Sequence, residues 1–174
     1  YLEILNEYDG KLNGKANVFL GKIDLDNIGI TGHSQGGIGV INAVTDQKHA
    51  DVYKAAAILS CGNTDFSAAF QWTFDDTLIN TPSLILGSTG NTDQQIAPLE
   101  SLQKLYNNIP DGVTKIMARR KNADHGEMLY FGDGYVTAWF MYHLKNDAEA
   151  GAAFVGDNAE ILSNIGWQDV EKNF

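Results

Sequence analysis

The chain has 174 residues, enough for one domain, and its 44% apolar content can fill a single substantial core. A formal charge of −10 at pH 7 excludes the phosphate backbone of nucleic acid as a natural partner, since like charges repel. No apolar run approaches the roughly 18 residues that a membrane span needs, no basic-then-apolar leader opens the chain, and the single cysteine, Cys61, excludes an internal disulfide.

In chain order, YLEILNEYD places apolar residues at 1, 2, 4, 5 and 8, the spacing of an amphipathic helix. NIGITG is a short β-branched run ending in glycine and reads as a buried strand. QGGIGVINAVTDQ returns to helical spacing through Ile38, Ile41 and Val44. YKAAAILS is a second buried strand, and the aromatic segment FSAAFQWTF follows it. PSLILGS is a third strand. APLESLQKLYNNI is a helix that opens near Pro98, where a missing N–H costs nothing, with Leu99, Leu102 and Leu105 on one face. TKIMARR is a fourth strand, and GYVTAWFMYHLKND is a long helix. In the tail, Ile161, Leu162, Ile165 and Trp167 fall near helical spacing, so it is expected to pack as a helix against the domain. Alternating strands and helices, with near-continuous apolar strands, predict an α/β fold: a parallel sheet covered by helices on both faces, all in one domain over 1–174.

Between the first strand and its helix stands TGHSQGG, in which Gly32, Ser34 and Gly36 satisfy G-x-S-x-G. That pattern, with a strand before it and a helix after it, is the sharp turn that projects a serine nucleophile. The helix N-terminus adds positive potential where an oxyanion would form, and the N–H of Gln35 is the expected oxyanion donor. The alternative is a glycine-rich turn with an idle serine.

A serine nucleophile needs a histidine base and a carboxylate to orient it. His33 lies inside the elbow and is expected to point away from the Ser34 hydroxyl. His49 follows the elbow helix, at the far end of the sheet, and His143 is mid-helix. His125, in the polar loop NADHGEM after the fourth strand, lies where catalytic groups of parallel sheets gather. The acid should fall between serine and histidine in the chain, and the tetrapeptide GNTD occurs twice there. Asp93 follows the third strand, one strand before the histidine loop, and is the expected acid. Asp65 is the alternative, placed where an N-cap would start a short helix.

Helical spacing links Phe66, Phe70 and Phe74, which suits a buried face; with Trp72, Phe66 and Phe70 could instead form a hydrophobic acyl-binding wall. DHGE lacks metal-ligand spacing, so no metal and no cofactor are expected. Cys61 reads as a small buried hydrophobe.

GITGHSQGG around Ser34, GNTDQQIAP around Asp93, and ADHGEM with GYVTAWFMYHLKND around and after His125 together resemble the α/β-hydrolases, in particular the cutinase-like and polyester-hydrolase-like branch related to dienelactone hydrolases and chlorophyllases. The resemblance implies a serine carboxylesterase of lipase or cutinase type, with Ser34 acylated, His125 as base then acid, and Asp93 holding the imidazole. It also implies a small ester or lipid-like substrate and an extracellular location. Polyester-branch members usually carry a tryptophan directly after the second of these strands. Here that place reads SCGNTD and Trp72 comes later, so a small ester is expected rather than a polymer. A complete fold of this kind has more strands than the four read here. The chain is therefore expected to be a C-terminal portion lacking the N-terminal strands and the second oxyanion donor, or a reduced form that borrows them. The elbow strand would then be an open apolar edge prone to self-association. Two rivals stand beside the esterase: a peptidase or thioesterase using the same triad, and an inactive remnant acting as a binding or assembly module.

Overall fold

The computed structural model describes residues 1–45, 48–61 and 75–174. The chain opens with a short helix α1 (Leu2–Glu7) and a two-stranded hairpin, β1 (Lys11–Leu12) and β2 (Lys15–Ala16), turned by Asn13 and Gly14, both at positive φ. The apolar residues of α1 find no core here: Leu2 and Ile4 are exposed.

The main sheet is built from β3 (Ile28–His33), β4 (Tyr53–Leu59), β5 (Ser83–Ser88), β6 (Lys115–Arg120) and β7 (Trp167–Lys172), in that order across the sheet. The first four are parallel, and β7 closes one side antiparallel to β6. Helix α2 (Gln35–Thr45) joins β3 to β4. Helices α3 (Asn91–Ile96) and α4 (Leu99–Asn108) join β5 to β6. After β6 come α5 (Met128–Phe131), α6 (Asp133–Lys145), α7 (Ala148–Gly151) and α8 (Glu160–Ser163).

Strand periodicity sorts the core into two layers. Ala56, Ile58, Ile85 and Met117 face α2 and α4, where Ile38, Ile41, Leu102 and Leu105 meet them. Their neighbours Ala55, Ala57, Leu59, Leu84, Leu86, Ile116 and Ala118 face the other way, onto Trp139 of α6 and Phe154. Both faces of the sheet are thus covered by helices, as the continuous apolar strands predict. Leu99 packs against the first layer beside Leu102 and Leu105, so the expected helical face is the buried one.

The tail departs from its expected helix. Only Glu160–Ser163 is helical, and Trp167–Lys172 is a fifth strand. A register shift near Met117 and Arg119, with Asp169 at φ 52°, breaks the alternation by which a strand is recognised. Arg119 stabilises that irregularity, its Nε and Nη2 lying 2.8 and 2.7 Å from Asp169 Oδ2. At the opposite edge β3 has no further strand beside it in the described sheet, and its Thr31 is exposed. Among the described residues no helix is long and apolar enough to cross a membrane.

Candidate functional site

Ser34 sits between the end of β3 and the start of α2 with φ 57°, a conformation that a non-glycine residue adopts only under constraint. The constraint comes from both flanks. Its N–H donates to Leu59 O of the neighbouring strand at 2.9 Å, and its carbonyl accepts the N–H of Gly37 at 2.9 Å. Gly32 makes the turn sterically feasible, because a Cβ there would lie 2.2 Å from Gly36 O. Gly36 itself faces open space, so the second motif glycine is not forced by any described neighbour. Gln35 is exposed and is the first residue of α2, so its N–H has no carbonyl one turn earlier within the helix.

The second GNTD copy does more than turn the chain. Gly90 precedes α3, and Asp93 lies in its first turn, fully buried. Asp93 Oδ2 accepts the Ser88 N–H at 2.6 Å and the Ser88 hydroxyl at 2.8 Å. Its Oδ1 lies 2.7 Å from His125 Nδ1. Because the carboxylate oxygen accepts, Nδ1 carries the proton and the imidazole is left with a lone pair on Nε2. The His125 side chain is 16% exposed, so one edge of this pair reaches solvent.

His125 is anchored through its backbone as well. Its N–H donates to Asp124 Oδ1 at 2.9 Å, and its carbonyl accepts from His33 Nε2 at 2.8 Å. A carbonyl only accepts, so His33 is protonated on Nε2; burial holds this imidazole below the usual range and favours its neutral form. The two rings lie 4.5 Å apart between centroids. His33, expected only to turn away from the Ser34 hydroxyl, bridges the elbow to the His125 loop. A contact across 92 residues has no sequence signal, which is why the elbow motif alone does not disclose it. Asp124 is the other residue unforeseen, although an Asp three places before Glu127 is a capping-box pattern, and that box is formed here.

The remaining candidates fall out plainly. His49 lies at the amino end of β4, and His143 packs inside α6 against Trp139. Cys61 is buried, and desolvation with the nearby Asp93 charge pushes its thiol up to about 12, far from a nucleophile's range. Asp65, Phe66, Phe70 and Trp72 lie outside the described residues. Among the described residues no group of three or more His, Cys, Asp or Glu side chains gathers in a metal-holding cluster. A cleft of about 310 Å³ borders the elbow, lined by Gly32, His33, Leu59, Leu129 and Val136 among others. A larger one of about 460 Å³ lies at the opposite end of the strands, against Tyr53 and Pro82, away from Ser34 and His125.

No family model matches the chain. It is 32% identical over 115 residues to the bis(hydroxyethyl) terephthalate hydrolase of Streptomyces coelicolor, a match that covers 66% of this chain and 32% of that protein. Among solved structures it superposes on an acylaminoacyl peptidase bound to Z-Gly-Gly-Phe-chloromethyl ketone with a TM-score of 0.50 and 23% identity, covering 63% of this chain and 21% of the other. The matched part is therefore about a third of the length of the first protein and about a fifth of the second. With its mostly parallel sheet, its helices on both faces and its strand–serine–helix turn, the chain has part of the α/β-hydrolase fold.

Proposed function

We propose that this chain carries the catalytic triad of a serine hydrolase, Ser34, His125 and Asp93, and cleaves small carboxylic esters without a cofactor. The observation that carries the reading is the 2.7 Å contact of His125 Nδ1 with a fully buried carboxylate, on a loop tied to the strained elbow of Ser34. The ester class is taken from the relative whose name specifies a terephthalate ester.

In this mechanism the Ser34 hydroxyl oxygen bonds to the acyl carbon while its proton passes to His125 Nε2. The carbonyl electron pair moves onto oxygen, where the Gln35 N–H donates to it. Collapse breaks the bond to the alcohol oxygen, which leaves with the proton from Nε2. Water then repeats the sequence on the acyl-enzyme and releases the acid. Asp93 accepts the Nδ1 hydrogen bond throughout and stabilises the imidazolium without taking its proton. Phe66, Phe70 and Trp72 are the proposed acyl-binding wall.

The test is hydrolysis of a short-chain p-nitrophenyl ester by the chain beside its Ser34→Ala variant. Turnover that disappears with the hydroxyl supports the reading. Equal background rates would favour the rival, a hydrolase-fold remnant that binds without turning over. Self-association through the β3 edge belongs to the same proposal, and sedimentation of the chain across a concentration series tests it: a monomer at every concentration removes that part.

A further inference from the structure

We infer that Asp124 is a positioning residue that fixes the base and the acid of the site relative to each other. The inference rests on the triad reading above. One oxygen, Asp124 Oδ1, accepts the backbone N–H of His125 at 2.9 Å, of Thr92 at 3.0 Å and of Asp93 at 3.1 Å. The other, Oδ2, accepts the Thr92 hydroxyl at 3.1 Å. The two residues whose side chains meet at 2.7 Å thus have their main chains pinned to a single atom of a third side chain.

The carboxylate is itself held in place. Asp124 N–H donates to Glu127 Oε2 at 2.7 Å, closing a capping box around the turn that carries His125. Alongside, Gly90 N–H donates to Ala123 O at 2.8 Å and Asn122 N–H to the Thr89 hydroxyl at 3.0 Å, so the two loops are laced together on the same side. Hydrogen bonding, with the His125 N–H first, keeps the Asp124 carboxyl below the usual carboxylate range, so it stays an acceptor at neutral pH. Asp124 thus accepts N–H groups from the first turn of α3 and from the start of the 3-10 turn His125–Glu127, which it caps, and Asp93 and His125 stand in those two turns. It stands outside the reacting atoms, so it acts through geometry alone.

Three substitutions separate geometry from charge. Asp124→Asn keeps an acceptor where Oδ1 stands and loses the charge. Asp124→Glu keeps the charge and displaces it by a methylene. Asp124→Ala removes both. Two readouts are taken on each folded variant: the strongly downfield NMR signal of the His125 Nδ1 proton, and kcat against KM for p-nitrophenyl ester hydrolysis. We expect the downfield signal to shift or broaden in the Ala and Glu variants and to persist in the Asn variant. We expect kcat to fall on the order of 30–100-fold in the Ala and Glu variants, the scale of a catalytic group misplaced by about 1 Å, with KM little changed and Asn within a few-fold of the parent. If Ala does not fold, the Glu and Asn pair carries the comparison. An unaltered downfield signal in folded Ala or Glu variants overturns the inference, as does a kcat unaffected by either. Should the parent chain hydrolyse no ester, the triad reading fails, whereas the proton signal still decides whether Asp124 sets the His125–Asp93 contact.

Discussion

Replacing Asp93 by asparagine has a directional consequence that the hydrogen bonds of the site dictate. Oδ2 accepts a backbone N–H, from Ser88 at 2.6 Å, and a backbone N–H cannot accept in return. In Asp93→Asn the amide oxygen would have to occupy that side, so the NH₂ group faces His125 Nδ1. Nδ1 must then accept, which moves the imidazole proton to Nε2 and removes the lone pair that would take the Ser34 proton. The expected loss in kcat is roughly 10⁴-fold, the scale known for this change in serine-protease triads, or about 5.5 kcal/mol in barrier. Stability should suffer less, because the Ser88 donors keep an oxygen. Asp93→Ala strands three donors in a buried site and should cost about 3–9 kcal/mol at about 1–3 each, so it would lose the fold along with the activity. Steady-state hydrolysis of a p-nitrophenyl ester, paired with thermal unfolding, separates the two. A folded Asp93→Asn variant retaining more than about a tenth of parental kcat would refute the tautomer argument.

Three further outcomes follow from the packing. His143 is held neutral, its imidazole lowered to about 4 by burial, and its Nε2 has no hydrogen-bond partner among the described residues. Its protonation in the unfolded chain near the ordinary value of 6.5 should therefore drain stability as pH falls from about 6.5 towards 4, on the order of 1–2 kcal/mol once solvent screening of a half-buried ring is allowed for. In urea melts at successive pH values, His143→Phe should flatten that slope, and an unchanged slope would count against the assignment. The thiol of Cys61, buried and pushed up to about 12, should react with a thiol-exchange reagent only at the rate of unfolding; rapid labelling of the native chain at neutral pH would contradict this. Gly90→Ala would place a Cβ 2.3 Å from Ala123 O, forcing apart the loops that carry Asp93 and His125, and should lower both the unfolding temperature and the ester activity; calorimetry and activity equal to the parent would contradict the close approach.

Local chemistry makes much of this fold legible. The strands over Tyr53–Leu59, Ser83–Ser88 and Lys115–Arg120 are largely buried, and the edge strand Ile28–His33 only partly, yet each carries an apolar run bounded by turn residues. G-x-S-x-G marks the elbow because Gly32 must admit Gly36 O at close range. Asp93 and His125 stand out because chain order and strand ends leave few alternatives. The tail is less legible. Among the described residues Trp167–Lys172 pairs along one side, and it carries an irregularity at Asp169, so charged and apolar residues do not alternate there. The hairpin at Asn13 and Gly14 has a turn-pair signal, but strands of two residues each carry no periodicity to support it. His33 and Asp124 owe their positions to contacts spanning 92 and 31–32 residues, and such pairings exist only once the sheet has assembled.

The most direct test of the Ser34–His125–Asp93 assignment is peptide-level mass spectrometry after exposure of the chain to a serine-directed fluorophosphonate. A single adduct on the peptide bearing Ser34, abolished in His125→Ala, is the expected result. An intact, folded chain that takes up no phosphonate, or one modified at another serine with Ser34 untouched, would contradict it.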